Sequence, residues 1–364
     1  MNYQQLANSA LADLQPYVPG KPIAELQRQY GLKDIVKLAS NESPLGPSTA
    51  VQAAIALAVR ETTLYPDGNG FELKQAIAEK FAIQPAQITL GNGSNDVLEL
   101  IVRCFAAPAD EVMFAQHAFA VYPLAAKAIG ATAVEVPAKN YGHDLTAMLA
   151  AVTDKTKLVF IANPNNPTGT AVAHSELEKF LVALPQSLMV VLDEAYLEYN
   201  DNPVNTLEWL DKYPNLIICR TFSKAYGLAG LRVGFAVSHP EVADLLNRIR
   251  QPFNVNHLAL AAAVAALGDD DYLQRARDIN AAGMQQFEKG FSALGLEYIP
   301  SKGNFICVDV GREAAPVYDA LLREGVIVRP VGAYGLPNHL RISIGLEQDN
   351  VRCLAALKKV LSDD

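Results

Sequence analysis

The stretch LVFIANPNNPTGTAVAHSELEKFLVALPQSLMVVLDEAY, running from Leu158 to Tyr196, decides the fold. It opens on one apolar run, Leu158–Ala162, and closes near a second, Leu188–Leu192. Neither run alternates with polar residues, as expected of strands covered on both faces of a parallel sheet. Between them His174–Leu184 reads as a helix. Strand, helix, strand in this order is a parallel crossover unit with helices on the sheet faces. Leu216–Cys219 and Val233–Val237 are two further runs of the same kind.

Outward from this unit, helical spacing recurs at Leu73, Ile77 and Phe81, and again at Val351, Leu354, Leu357 and Leu361. The pattern changes after Arg250. Helical segments His257–Leu267 and Tyr272–Leu294 come first, then short strands at Phe305–Val310, Val326–Arg329 and Leu340–Ile344. This reads as a smaller α+β domain. The opening residues carry Pro16, Pro19, Gly20 and Pro22, which suggests an extended arm. The expected division is an arm over 1–40 joining the small domain, a large α/β domain over 41–255, and the small domain over 256–364.

With 364 residues the chain has length for about two domains. Its net charge of −9 argues against a broad nucleic-acid surface and against anionic membranes. A few clustered arginines could still hold one anionic ligand. Cys104, Cys219, Cys307 and Cys353 form no CxxC pair and read as reduced thiols, with no zinc site. The histidines at 117, 143, 174, 239, 257 and 339 show no ligand spacing and read as structural, so no metal is expected. The start of the chain lacks a secretory signal. Its most apolar stretch, Leu258–Leu267, is far shorter than the roughly 18 residues of a span. A cytoplasmic location is expected.

Ligands of open α/β sheets bind beyond the carboxyl ends of the strands. Asn166 follows the first run, Asp193 and Tyr196 the second, and Ser223 and Lys224 the third. The intervals allow one crossover helix each, so these side chains should converge on one rim. A lysine amine, a carboxylate, an amide and a phenol are what pyridoxal phosphate requires. The amine holds its aldehyde, the carboxylate keeps its ring nitrogen protonated, and the other two bond its ring oxygen. Gly91-Asn-Gly93-Ser94-Asn95-Asp96 follows a short strand, Ile88–Leu90, and opens the helix Val97–Phe105. Backbone N–H groups at such a start suit a phosphate. Ser223, Arg232 and the glycines of Gly227-Leu-Ala-Gly230 could complete that cradle. The GxGxxG, GxxxxGK[ST] and GxSxG patterns of dinucleotide, nucleotide and serine-hydrolase sites are absent.

These residues, with Pro16-Tyr17-Val-Pro-Gly20-Lys21, Leu38-Ala-Ser-Asn41-Glu42-Ser-Pro44, Tyr65-Pro66-Asp67, Val326-Ile-Val-Arg329-Pro330 and Leu340-Arg341-Ile-Ser343, resemble the aminotransferases of pyridoxal-phosphate fold type I. Within them the resemblance is to the histidinol-phosphate aminotransferase family and covers nearly the whole chain. It implies a large domain with a mostly parallel seven-stranded sheet flanked by helices, plus a smaller α+β domain. It also implies Lys224 as the Schiff-base and catalytic lysine, Asp193 as the pyridinium partner, and Asn166 and Tyr196 at the ring oxygen. Ser94, Asn95, Ser223 and Arg232 would hold the phosphate, and Phe119 would stack on the ring where many relatives have Tyr. Tyr65 would reach the cofactor phosphate of a neighbouring subunit, making the enzyme a homodimer. Tyr17, Asn41, Arg329 and Arg341 would bind substrate. Ser43 stands where the family usually has Asn, a change expected to matter little.

The activity implied is transamination of histidinol phosphate with 2-oxoglutarate, in histidine biosynthesis. An aromatic amino-acid aminotransferase and a threonine-phosphate decarboxylase are the alternatives. A cofactor-binding regulator would need a DNA-binding domain for which the chain has no spare length.

Overall fold

The computed structural model describes all residues except 8, 12, 13, 15, 17–19, 201–202 and 363–364, and leaves the side chains of 4 and 5 undescribed. Strand β1 is Val36–Lys37. The strands β2 (Ile88–Gly91), β3 (Glu111–Ala115), β4 (Thr132–Val136), β5 (Thr156–Ala162), β6 (Met189–Asp193), β7 (Leu216–Thr221) and β8 (Gly234–Ser238) form a seven-stranded sheet in the order β2-β8-β7-β6-β5-β3-β4. From β7 through β6, β5 and β3 to β4 every pairing is parallel. β8 alone is reversed, antiparallel to both β7 and β2. The run Val233–Val237 therefore belongs to the sheet but not to its parallel part. The connection from β7 to β8 holds only a short 3₁₀ turn, Ala229–Leu231, and returns the chain antiparallel.

β5, β6 and β7 are buried almost throughout, which explains their unbroken apolar character. Helix His174–Ala183 joins β5 to β6, as the spacing predicts. One hydrophobic cluster fills one face of the sheet, with Leu73, Ile77, Val159, Ile161, Val190 and Ile218 among its members. A second fills the other face, with Val97, Ile101, Tyr122, Phe160, Val191 and Ile217.

Strands β9 (Tyr298–Ile299), β10 (Phe305–Asp309), β11 (Val326–Ile327), β12 (Arg329–Pro330) and β13 (His339–Ser343) follow. Four of them form an antiparallel sheet in the order β12-β13-β10-β9, while β11 pairs in parallel with β1. The expected strand Val326–Arg329 is thus split between two sheets. A separate core lies here, built on Leu38, Phe287, Phe291, Ile306, Val308, Leu340, Ile342 and Leu357.

Two expectations change. Helix His257–Leu267 packs its buried Ala259, Ala262, Ala263 and Ala266 within the cluster that holds Val51 and Leu73, so the core of the large unit runs past residue 255. Alanine's small side chain permits that close helix packing. The long helix Asp270–Leu294 then passes between cores, with Leu273 in the first and Phe287 and Phe291 in the other. The opening arm is not simply extended either. Pro22 fixes an extended residue that starts helix Ile23–Tyr30, and Gly31 ends it in the left-handed conformation. That helix buries Leu26 beside Ala39, Leu322 and Ile327.

Candidate functional site

The carboxyl ends of β2, β5, β6 and β7 and the start of β8 share one rim of the large sheet. A cavity of about 320 Å³ opens there, closed from above by Arg329, Tyr334 and Arg341 of the small unit. The sequence-predicted residues Ser94, Asn95, Asn41, Phe119, Asn166, Asp193, Tyr196, Ser223, Lys224, Arg232, Arg329 and Arg341 all line it.

Asp193 ends β6 and is buried. Its Oδ2 accepts from the Tyr122 hydroxyl at 2.8 Å, and its Oδ1 from the Ala195 N–H at 3.2 Å. Burial lifts its carboxyl from 3.8 to about 6, against the pull of those two donors. Lys224 follows β7. Its Nζ donates to the Ser40 carbonyl at 3.2 Å and lies 5.7 Å from the centre of the Tyr196 ring. Burial brings the amine down from 10.5 to about 8, with the nearby Arg341 guanidinium acting in the same direction. The Tyr196 hydroxyl accepts from Asn41 Nδ2 at 2.9 Å, and burial pushes it up to about 12. Asn41 is fixed in turn by Ser343, whose hydroxyl donates to Oδ1 at 2.9 Å.

The phosphate-type cradle forms where β2 turns into helix Ser94–Phe105. Gly93 has φ +82°, and a Cβ there would meet Arg232 Nη2 at 2.3 Å. Gly234 opens β8 with the Ser94 N–H so near that a Cβ would lie 2.5 Å from it. Only glycine lets these backbones converge. Arg232 donates to Ser223 Oγ at 3.3 Å and to the Ala229 carbonyl at 3.1 Å. A helix N-terminus, a guanidinium and two hydroxyls thus meet at one place.

Arg341 reaches down from β13. Nη1 donates to Asn166 Oδ1 at 2.5 Å, Nη2 to the Ala39 carbonyl at 2.8 Å, and the plane lies over the Phe305 ring at 5.4 Å. Its Nε is buried and has no hydrogen-bond partner. Among the lining residues Lys224, Arg232, Arg329 and Arg341 face only Asp193 and Glu42 as acids. The cavity therefore favours an anion in a protein of negative net charge.

Pyridoxal phosphate fits this set. Asp193 is a buried carboxylate beside two neutral donors, a place suited to a protonated ring nitrogen. With Oδ1 of Asn166 occupied by Arg341, its amide N–H₂ is left to donate. Lys224 is half-buried and readily neutral, as an amine that attacks an aldehyde must be.

Two predicted residues stand apart. Tyr65 lies outside the cavity, exposed on the surface with its ring stacked on Phe253 at 4.7 Å. Tyr17 falls outside the described residues. Reading the sequence missed Tyr122 and Tyr334 as cavity residues. Tyr122 lies three positions after Phe119 at the start of helix Val121–Ala128, and that nearness in sequence was the available signal. Tyr334 owes its place to the fold of a short 3₁₀ turn and carried none. Ser43 bonds the Tyr272 hydroxyl at 3.1 Å. Among the described residues no cluster of three or more His, Cys, Asp or Glu could hold a metal ion. Nor is any helix among them long and apolar enough to cross a membrane.

The fold and sequence are similar to those of known proteins. The crystal structure of histidinol-phosphate aminotransferase from Sinorhizobium meliloti in complex with pyridoxal-5'-phosphate superposes with a TM-score of 0.91 at 34% identity, covering 97% of each chain. Histidinol-phosphate aminotransferase 1 of Mannheimia succiniciproducens is 57% identical over the full length of both chains. Histidinol-phosphate aminotransferase 2 of Pseudomonas fluorescens is 59% identical over 99% of each. Fold and rim together define a pyridoxal-phosphate-dependent aminotransferase of fold type I. The chain belongs to the aminotransferase class I and II family, which it matches over residues 33–357.

Proposed function

We propose that this enzyme transfers the amino group of histidinol phosphate to 2-oxoglutarate, giving imidazole-acetol phosphate and glutamate in histidine biosynthesis. The observation that carries this reading is the pair Arg329 and Arg341, set by the small unit over the lysine at the sheet rim. A guanidinium fork suits the phosphate of the donor and the carboxylate of the acceptor equally. The full-length relatives, histidinol-phosphate aminotransferases by name, support it.

When bound, pyridoxal phosphate supplies an aldehyde that links to an amine and a ring that accepts the electron pair left when a carbon loses its proton. Lys224 would hold that aldehyde. Once displaced by the donor amine, its Nζ would take the proton from the amine-bearing carbon and return it one position away. A pKa of about 8 leaves a useful fraction of the amine neutral for this. Asp193, held by Tyr122, would keep the ring nitrogen protonated. Asn166 and Tyr196 would bond the ring oxygen, and Phe119 would stack on the ring. Ser94, Asn95, Ser223 and Arg232 would bind the phosphate. Asn41, Arg329 and Arg341 would bind substrate, with Tyr17 as a further contact.

The surface position of Tyr65 suits a residue that serves a second copy of the chain. Leu64 and Phe71 lie exposed nearby in sequence and belong with it to an apolar surface that a homodimer would cover. We therefore read the enzyme as a cytoplasmic homodimer in which Tyr65 completes the neighbouring site. The functional units are the arm with the small domain and the large cofactor domain.

Titration of the holoenzyme with histidinol phosphate, without a keto acid, tests the donor. Loss of the visible band of the bound cofactor is the expected result. A band unchanged by histidinol phosphate but lost with an aromatic amino acid would replace the donor. Release of carbon dioxide from threonine phosphate would replace the reaction.

A further inference from the structure

Tyr65 is 83% exposed, and its ring packs on that of Phe253, itself 44% exposed. Nothing in the chemistry above calls on Phe253 or its neighbours. The backbone around it is nevertheless specialised. Phe253 has φ +57°, a left-handed conformation that an aromatic residue seldom holds. Such a conformation persists only where the surroundings impose it.

The surroundings are a chain of hydrogen bonds. Arg250 donates through Nη2 to the carbonyl of Gly68 at 2.8 Å, and through Nη1 to Asn254 Oδ1 at 2.6 Å. Asn254 Nδ2 donates to Asp96 Oδ2 at 2.7 Å and to the carbonyl of Leu90 at 3.1 Å. The same Asp96 oxygen accepts the backbone N–H of Asn92 at 2.8 Å. The turn over 250–254 is thus clamped at one end to the loop that carries Tyr65. At the other it is clamped to the loop that carries Ser94 and Asn95. A Cβ on Gly68 would lie 3.2 Å from the Phe253 ring, so the ring lies directly on the backbone of the Tyr65 loop.

We propose that the turn over 250–254 is the positioning element for Tyr65. Phe253 aims the tyrosine ring at the neighbouring subunit's cofactor phosphate, and Arg250 and Asn254 register it against the cradle of its own subunit. This rests on the reading of Tyr65 as a residue that serves the other site. Phe253 does not line the cavity of its own chain. Its contribution through Tyr65 is therefore expected in trans.

Hybrid holoenzymes built from two differently tagged subunits test this. One subunit carries Lys224→Ala, so that only its partner's site is live. Phe253→Ala is placed either in the silent subunit or in the live one, and pyridoxal phosphate affinity is read from the visible band. Phe253→Ala in the silent subunit should weaken cofactor binding at the live site about fivefold, the scale of one lost aromatic pair. In the live subunit any loss should be smaller, because there the turn meets the site only through the Asn254 hydrogen bonds to Leu90 and Asp96. Phe253→Tyr should restore binding, and adding Phe253→Ala to Tyr65→Phe in the silent subunit should weaken it no further. Phe253→Leu keeps apolar bulk and serves where the alanine variant fails to assemble. A loss confined to the live subunit, a loss that multiplies with that of Tyr65→Phe, or no loss overturns the proposal. Tyr65→Phe without effect from the silent subunit instead overturns the reading of Tyr65 itself, and the proposal falls with it.

Discussion

Arg341 donates through Nη1 to Asn166 Oδ1 at 2.5 Å, joining β13 of the small unit to the loop after β5 of the large one. The guanidinium over the site and the amide beneath it are therefore one assembly. Arg341→Lys keeps the charge but cannot span both Asn166 and the Ala39 carbonyl. A hydrogen bond to a charged group contributes about 1.5–3 kcal/mol, so KM for both donor and keto acid should rise about 10- to 100-fold. Steady-state kinetics with each substrate varied in turn check this. An unchanged KM would remove Arg341 from the anion site.

Asp193 gives a pH dependence of stability. Its carboxyl is raised from 3.8 to about 6, so the stabilisation is fully present below 3.8 and lost as pH rises through about 6. The difference amounts to about 3 kcal/mol in the cofactor-free enzyme. Asp193→Asn should raise the melting temperature of the cofactor-free enzyme at pH 7 while lowering transamination at least about 100-fold, because in the proposed site it removes the counter-charge of the ring nitrogen. Thermal unfolding of both forms across pH 4–8 gives the comparison. A variant no more stable than the parent at pH 7 would contradict the assignment.

The proposed role of Lys224 bears on cofactor loading. The neutral amine is the nucleophile, and burial sets its pKa at about 8. The rate at which cofactor-free enzyme takes up pyridoxal phosphate should climb as pH rises toward 8 and level off above it. Stopped-flow absorbance measures this directly. A midpoint near the 10.5 of an ordinary lysine would show that the amine is not desolvated.

Behind the rim, Glu194 Oε2 accepts from Arg220 Nε at 3.0 Å and pairs with Nη2 at 2.9 Å, while Oε1 accepts from the Thr206 hydroxyl at 2.5 Å. The pair is buried between the strands that carry Asp193 and Lys224. Glu194→Gln removes the carboxylate hydrogen-bonded to Arg220, with only Glu198 left nearby, and should destabilise the fold by about 3 kcal/mol. Denaturant unfolding reads this. A loss below about 1 kcal/mol, the range of a surface pair, would mean the charge is solvated.

Much of the fold is legible in local sequence. The apolar runs at 158–162 and 188–192 specify strands because two-sided burial demands unbroken hydrophobicity. The crossover between them is readable from helix length and handedness. β8 was less legible, because an apolar run carries no information about strand direction. Helix His257–Leu267 packs on the large core, although the change of pattern after Arg250 points to the smaller one. An alanine-rich helix has no strong polar face to say which neighbour it meets.

By itself the sequence determined which residues follow each strand, and so that an amine, a carboxylate and an amide would share a rim. That much needs only chain order and the parallel rule. The tertiary structure decided the rest. It set Arg341 against Asn166, brought Tyr122 under Asp193, and turned Tyr65 outward onto Phe253. Those pairs are distant in sequence or on different elements, and only the packing of the two cores fixes the distances between them. Burial, which moves Lys224 and Asp193 into a usable pKa range, is likewise a property of the packed state and not of the residue.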